Sequence, residues 1–132
     1  KGGKILIGGK IIGKYFFEPT VISNASLEMN FSKEEIFGPI VPLYKFSSDK
    51  QAVNMANDTN YGLASYFYSQ NVSRCWRVAE ELEYGMVGIN EGLISTEVAP
   101  FGGIKFSGIG REGSKYGIED YLDVKYMCFG NI

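Results

Sequence analysis

The sequence predicts an α/β fold, a parallel sheet whose strands are joined by crossover helices. Three observations carry that expectation. The apolar and aromatic run from Ile40 to Phe46 reads as a strand, and it ends at Ser48, which caps a helix over residues 49–58. A second β-prone run, Ala64 to Tyr68, leads into a helix capped by Asn71. Met86 to Asn90 then reads as a buried strand, and an order of strand, helix, strand, helix, strand makes the pairing parallel.

Each element has a local reason. Pro42 has no N–H to give a ladder, so it belongs near a strand start or on an edge. In the second helix Val72, Cys75, Trp76, Ala79 and Leu82 form an apolar stripe opposite Arg74, Arg77, Glu80 and Glu81. That stripe makes Trp76 a core residue and Cys75 an inert buried thiol, and Cys128 reads the same way with less force. Gly85 suits the left-handed position after the helix. Tyr15, Phe16 and Phe17, ahead of Glu18-Pro19-Thr20, read as packing at a strand entrance. Gly102, Gly103, Gly108, Gly110 and Gly113 mark a loop that must pass close to something. A short helix around Ser114 to Leu122 follows. Beyond it Val124, Tyr126 and Cys128 alternate with Asp123, Lys125, Met127 and Phe129, a strand pattern. A terminal strand at a sheet edge is a natural place for a second subunit to add on.

Composition narrows the function classes. A hydrophobic content of 45% and a net charge of -2 over 132 residues fit one globular domain or a piece of one, not a disordered chain. The near-balanced charge offers no basic surface for nucleic acid or anionic lipid, and no apolar run is long enough to cross a bilayer. Lys1 opens no signal peptide, so a soluble intracellular protein is expected, and the sequons at Asn24, Asn30, Asn57 and Asn71 carry no weight. With no histidine in the chain, neither a Ser-His-Asp nor a Cys-His unit can be assembled, and imidazole ligation of a metal is excluded. The absence of an initial methionine raises the expectation of a piece of a longer protein.

Gly108-Ile109-Gly110-Arg111-Glu112-Gly113 is a literal G-x-G-x-x-G, yet it fails as a dinucleotide fingerprint. No strand directly precedes it, and the chain ends before a βαβ unit can close. Lys33 to Pro39 is better placed, with two carboxylates and an aromatic just ahead of a strand. From the residues alone, a solvated acidic turn with Phe37 buried is the favoured reading over a ligand site. Ser95 reads as a loop hydroxyl capping a local turn.

Taken together, Phe17-Glu18-Pro19-Thr20, Glu34-Glu35-Ile36-Phe37-Gly38-Pro39, Ala56-Asn57, Tyr61-Gly62-Leu63-Ala64, Pro100 to Lys105 and Ser107 to Glu112 resemble the aldehyde dehydrogenase superfamily in order and spacing. The resemblance covers essentially the whole chain. Asn90 to Ser95 and the tail Gly113 to Leu122 with Lys125-Tyr126 look most like succinate-semialdehyde dehydrogenases.

The resemblance implies the second half of the catalytic domain over residues 1–113, with a C-terminal helix and oligomerisation strand over 114–132. It reverses the reading of the acidic turn: Glu35 is expected to bind the nicotinamide ribose and Phe37 to pack beside the nicotinamide of NAD or NADP. Ser95 is expected to help hold the far carboxylate of succinic semialdehyde, Phe101 to line the aldehyde tunnel, and Glu112 to stand behind the site near the proton path. In the family a cysteine thiolate attacks the aldehyde and a glutamate activates water, and both are expected upstream of Lys1. The chain alone is therefore expected to be inactive, part of a cytoplasmic or mitochondrial-matrix homo-oligomer. Other readings are a different aldehyde substrate, or a non-catalytic module that self-associates through residues 122–129.

Overall fold

The computed structural model describes residues 2–131 and consists of two compact units, Lys1–Asn60 and Tyr61–Ile132. Lys1, the residue that opens no signal peptide, and Ile132 at the far end of the expected terminal segment lie outside the described residues. This division has no bearing on the functional segments expected at 1–113 and 114–132.

In the first unit β1 (Lys4–Ile7) turns through Gly8 and Gly9 toward a small hairpin of β2 (Ile11–Ile12) and β3 (Phe16–Phe17). β4 (Thr20–Ser23) follows and pairs antiparallel with β1, with a register irregularity between Ile5 and Ile7. Gly8 has φ +76, and a Cβ there would run into the Pro19 carbonyl, so glycine is required by both conformation and space. Thr20, 3% exposed, accepts from the Gly9 N–H at 2.8 Å and donates to the Glu18 carbonyl at 2.7 Å. Its buried hydroxyl is thus satisfied twice.

β5 (Ile40–Pro42) lies parallel to β4 and forms the edge of a three-stranded sheet, order β1-β4-β5. The strand is shorter than the expected run to Phe46, and Pro42 does not cut it: Leu43, beyond the proline, still donates to the Ile22 carbonyl at 2.8 Å, and an edge strand tolerates the missing N–H on its open side. After it comes α1 (Asp49–Asn57). Ser48 caps it as expected, its Oγ accepting from the Gln51 N–H at 3.2 Å, while Gln51 Oε1 accepts from the Ser47 N–H at 2.8 Å. Met29 and Val53 are the buried apolar side chains of the described residues. Tyr15, Phe16 and Phe17 do not pack as expected: their hairpin is a two-residue ladder with no layer over it, and Phe16 is 72% exposed.

In the second unit β6 (Tyr61–Gly62) precedes β7 (Ala64–Phe67), α2 (Val72–Glu81) and β8 (Met86–Ile89). β7 and β8 pair in parallel, Ala64 opposite Met86 through Phe67 opposite Ile89, as the crossover predicts. In place of the one parallel sheet expected, the paired strands among the described residues fall in separate ladders, β1-β4-β5 and β2-β3 in the first unit and, in the second, β7-β8 and an antiparallel pair of β6 with β9 (Ile104–Lys105). Asn71 caps α2, its Oδ1 accepting from the Arg74 N–H at 2.9 Å.

The apolar stripe of α2 is only partly covered. Cys75, Val78, Ala79 and Leu82 are half-buried, whereas Trp76 is 68% exposed and not core. At about 100° per residue, Val72 and Trp76 fall on the flank of that covered line. Gly85 takes no left-handed conformation; a Cβ there would run into the Gly102 carbonyl, so close approach is what requires glycine.

The expected helix over Ser114 to Leu122 is replaced by turns and a 3-10 turn, Glu119–Tyr121. Gly117 donates to the Gly113 carbonyl at 2.9 Å, a single α-type turn, but Ser114 has φ +52, a left-handed conformation that a regular α-helix cannot include. Residues 122–131 are exposed and pair with no strand among the described residues, and Cys128 is exposed with them rather than buried. Alternation alone makes no strand without a neighbour to take its hydrogen bonds.

Candidate functional site

Residues 33–39 are held at both ends in the first unit. Lys33 ion-pairs with Asp58 and donates to its carbonyl at 3.1 Å. At the other end the Pro39 carbonyl accepts from the Thr20 N–H at 2.8 Å. The 3-10 turn Asn30–Ser32 leads in, with Ser32 Oγ bound to the Ser26 carbonyl at 2.8 Å and to the Tyr44 hydroxyl at 2.6 Å. Between these anchors Ile36 is half-buried, Glu35 is exposed, and Phe37 is 93% exposed. Burial of Phe37 as core, the reading favoured from the residues alone, is not what the fold does.

The other predicted residues belong to the second unit. Phe101 and Glu112 are joined in an isolated antiparallel bridge, the Phe101 N–H donating to the Glu112 carbonyl at 2.9 Å and the Glu112 N–H to the Phe101 carbonyl at 2.7 Å. Both line a cleft of about 670 Å³, with Leu63, Arg111 and Asp120. Ser95 is exposed on the loop after β8 and does not line that cleft. Structure therefore brings Phe101 and Glu112 together, leaves Ser95 off the lining of their cleft, and carries Glu35 and Phe37 in a different unit.

The glycine loop is explained by its own packing. Gly108, Gly110 and Gly113 all have positive φ, and no α-helix follows, so the G-x-G-x-x-G is a loop, as its context predicted. Arg111 Nη1 donates to the Gly103 carbonyl at 2.8 Å and to the Gly110 carbonyl at 2.7 Å. The Arg111 N–H donates to Asp120 Oδ2 at 3.2 Å, and Ser107 Oγ accepts from the Gly62 N–H at 3.0 Å. A side chain at Gly102 would lie 2.7 Å from the Gly110 carbonyl.

Two residues with structural roles were not singled out from sequence. In the sequence Arg111 belongs to the glycine run and the family motif Ser107 to Glu112, and Asn90 to a strand end and the segment Asn90 to Ser95, with no role of its own assigned to either. Asn90 has φ 58 and grips Ser69 through both ends of its carboxamide, at 2.8 Å each. The available signal was asparagine at a strand end, since its short amide tolerates that conformation and can bond the backbone.

The electrostatics are modest. Two backbone donors, Leu93 first and then Gly92, hold the Glu91 carboxyl below the usual carboxylate range. Burial pushes the Tyr84 hydroxyl up, with Lys105 opposing and Glu83 adding to it. Lys105 and Glu83 form an ion pair at 2.6 Å. Cys75 Sγ points at the Ser69 carbonyl, 3.6 Å away. Among the described residues no three His, Cys, Asp or Glu side chains gather as a metal site, and no helix is long and apolar enough to cross a membrane.

One pinned loop presents an acid and an aromatic ring, and in the other unit a glycine-rich loop lines a cleft. The profile of the aldehyde dehydrogenase family matches residues 1–127, and the chain belongs to that family. It is 58% identical to a succinate semialdehyde dehydrogenase of Acinetobacter baylyi, over 100% of this chain and 28% of that protein. A glutarate-semialdehyde dehydrogenase of Pseudomonas putida is 62% identical over 97% of this chain and 27% of its own length. The crystal structure of an NADP-dependent enzyme from Escherichia coli superposes with a TM-score of 0.94 at 56% identity, covering 98% of this chain and 27% of that one. The chain thus spans about a quarter of the length of these relatives.

Proposed function

We propose that these residues form part of an NAD(P)-dependent aldehyde dehydrogenase that oxidises succinic semialdehyde to succinate. The observation that carries the reading is Phe37, an aromatic ring 93% exposed on a turn anchored at both ends. An apolar ring held out by fixed backbone is suited to stacking on a flat ligand, and Glu35, two residues away, can accept from vicinal ribose hydroxyls. A nicotinamide bound there supplies the hydride acceptor. Glu35 fixes the ribose, and Phe37 fixes the ring and excludes water from one side of it.

Phe101 lines the aldehyde's path, and Glu112, paired to it, stands behind the site near the route of the proton. Ser95 donates to the substrate's far carboxylate. The thiolate that adds to the aldehyde carbon, forming a thiohemiacetal, comes from outside these residues. Cys75 is half-buried against the Ser69 carbonyl, and Cys128 lies in the terminal segment, so neither faces the cleft at Phe101. Loss of the hydroxyl proton and of a hydride from the thiohemiacetal carbon, the hydride to a nicotinamide held beside Phe37, leaves a thioester, which water cleaves to succinate and the free thiol.

The Pseudomonas putida relative favours a second substrate, glutarate semialdehyde, longer by one methylene. Both readings place an anion at the far end of the aldehyde. The protein works in the cytoplasm, or in the mitochondrial matrix of a eukaryote, as a homo-oligomer whose subunits join through the segment around Val124 to Phe129. The rival, a non-catalytic module, would share the fold and the association but turn over nothing.

The deciding assay compares succinic and glutaric semialdehydes with NAD+ and NADP+, in the full-length protein and in the 132-residue chain. Turnover by the former and none by the latter is expected. Activity in the isolated chain would overturn the assignment of the thiol, and an inert full-length protein would leave the assembly module. In light scattering, a charge at Val124 or Tyr126 is expected to reduce the oligomer.

A further inference from the structure

Beyond the groups that meet the substrate, the geometry points to Asn90 as a positioning residue for the loop that carries Ser95, and so for selection of an anionic aldehyde. This rests on the proposed role of Ser95. Two parallel strands end side by side at the root of this loop. Phe67 and Ile89 are the last paired residues of β7 and β8, and the Asn90 N–H continues the ladder to the Phe67 carbonyl at 2.9 Å. At that point the backbone leaves the sheet, because Asn90 has φ 58, a left-handed conformation.

The ladder nevertheless advances one further step, through a side chain. Asn90 Oδ1 accepts from the Ser69 N–H at 2.8 Å, and Asn90 Nδ2 donates to the Ser69 carbonyl at 2.8 Å. A carboxamide has the same donor and acceptor as a peptide group, so here it stands in for the next residue of β8 while the main chain turns away. Ser69 is itself fixed, since its Oγ accepts from the N–H of Asn71, the cap of α2, at 3.2 Å. The departure angle of the loop is therefore referenced to both β7 and α2.

The first part of the departing loop bonds to itself. Glu91 folds back on the Gly92 and Leu93 N–H groups at 2.8 and 2.9 Å, and Ser95 is exposed. It leaves from the C-terminal end of a parallel strand, where α/β proteins gather ligands. A clamp at the root of such a loop sets where its hydroxyl stands, and small displacements of a binding group cost much of its effect.

The test is the ratio of kcat/KM for succinic semialdehyde to that for butanal, the uncharged aldehyde of the same chain length, measured in the full-length enzyme. Asn90→Gly keeps the left-handed backbone free of strain while removing the clamp, and Asn90→Ala removes the clamp and adds strain. With two hydrogen bonds lost, the ratio is expected to fall by about tenfold in both variants. Amide exchange at Ser69 is expected to quicken by at least as much. A merely structural role would lower both substrates together and leave the ratio unmoved.

Should Asn90→Gly keep the ratio, or keep Ser69 protected, the inference is wrong. Ser95→Ala separates it from the reading beneath it. A ratio that falls in Ser95→Ala but not in Asn90→Gly removes Asn90 and keeps Ser95. If it falls in Asn90→Gly alone, Asn90 stands and another group on the loop contacts the anion. Ratios unmoved in both variants sink both statements.

Discussion

Phe101 and Glu112 meet backbone to backbone, each N–H donating to the other's carbonyl, at 2.9 and 2.7 Å. The pairing uses no side-chain atom of either residue. Glu112→Ala is therefore expected to change stability by less than about 0.5 kcal/mol, the range for a surface substitution. Glu112→Pro removes the donor and orphans the Phe101 carbonyl, a loss of about 1–3 kcal/mol. Thermal unfolding of the two variants checks this. Equal midpoints would mean that the bridge does not hold the hairpin.

Gly85 tests close approach rather than conformation. A methyl group there would meet the Gly102 carbonyl, which is backbone and cannot swing aside. Gly85→Ala is expected to destabilise by about 1–3 kcal/mol, as overpacking does. Gly38, with open space around its Cβ position, serves as control, and its alanine variant is expected to be near neutral. Denaturant midpoints at unchanged slope read both effects.

Phe37 separates ligand binding from folding. Its ring is almost wholly exposed, so Phe37→Ala is expected to leave the unfolding midpoint where it is. In the full-length enzyme the same change is expected to raise the KM for the nicotinamide cofactor by about tenfold, the worth of one ring contact. An unchanged cofactor KM would remove Phe37 from the site.

Glu91 gives a pH dependence whose sign follows from its bonds. Hydrogen bonds from the Leu93 and Gly92 N–H groups favour the ionised carboxyl, so its folded value lies below the ordinary one of about 4.3. Order in this turn is thus complete above the ordinary value and is lost as pH falls through the depressed one. The amide shifts of Gly92 and Leu93 are expected to titrate with a midpoint under that of a free glutamate, and Glu91→Gln should abolish the step. A midpoint at or above the ordinary value would contradict the bonds.

Much of the fold was legible because local rules decided it. Ser48 and Asn71 announce their helices by a cap oxygen placed at the helix start, and the β7-α2-β8 crossover follows from the order of strand, helix and strand. What failed depended on neighbours that a local pattern cannot name. Trp76 sits one helical step off the line that β8 covers, and Phe16 has the composition of core without a layer above it. Val124 to Phe129 alternates as a strand does, but pairing needs a second strand. Among the proposed site residues, Glu35 and Phe37 are readable only through several motifs in register, since an acidic turn alone favours solvent. Asn90 stayed hidden because its role lies in a bond to Ser69, distant in sequence.

The exposed flank of α2 carries an optical consequence. Trp76 is the chain's single tryptophan, so all indole fluorescence reports on that one helix face. Bare in water, it should emit at the long wavelengths of a solvated indole and yield readily to iodide or acrylamide. In the full-length protein, a blue shift with lost quencher access would signal that another surface lies against α2, provided that signals from other tryptophans are first removed by substitution. The residue that sequence placed in the core thereby becomes an intrinsic gauge of what that helix meets.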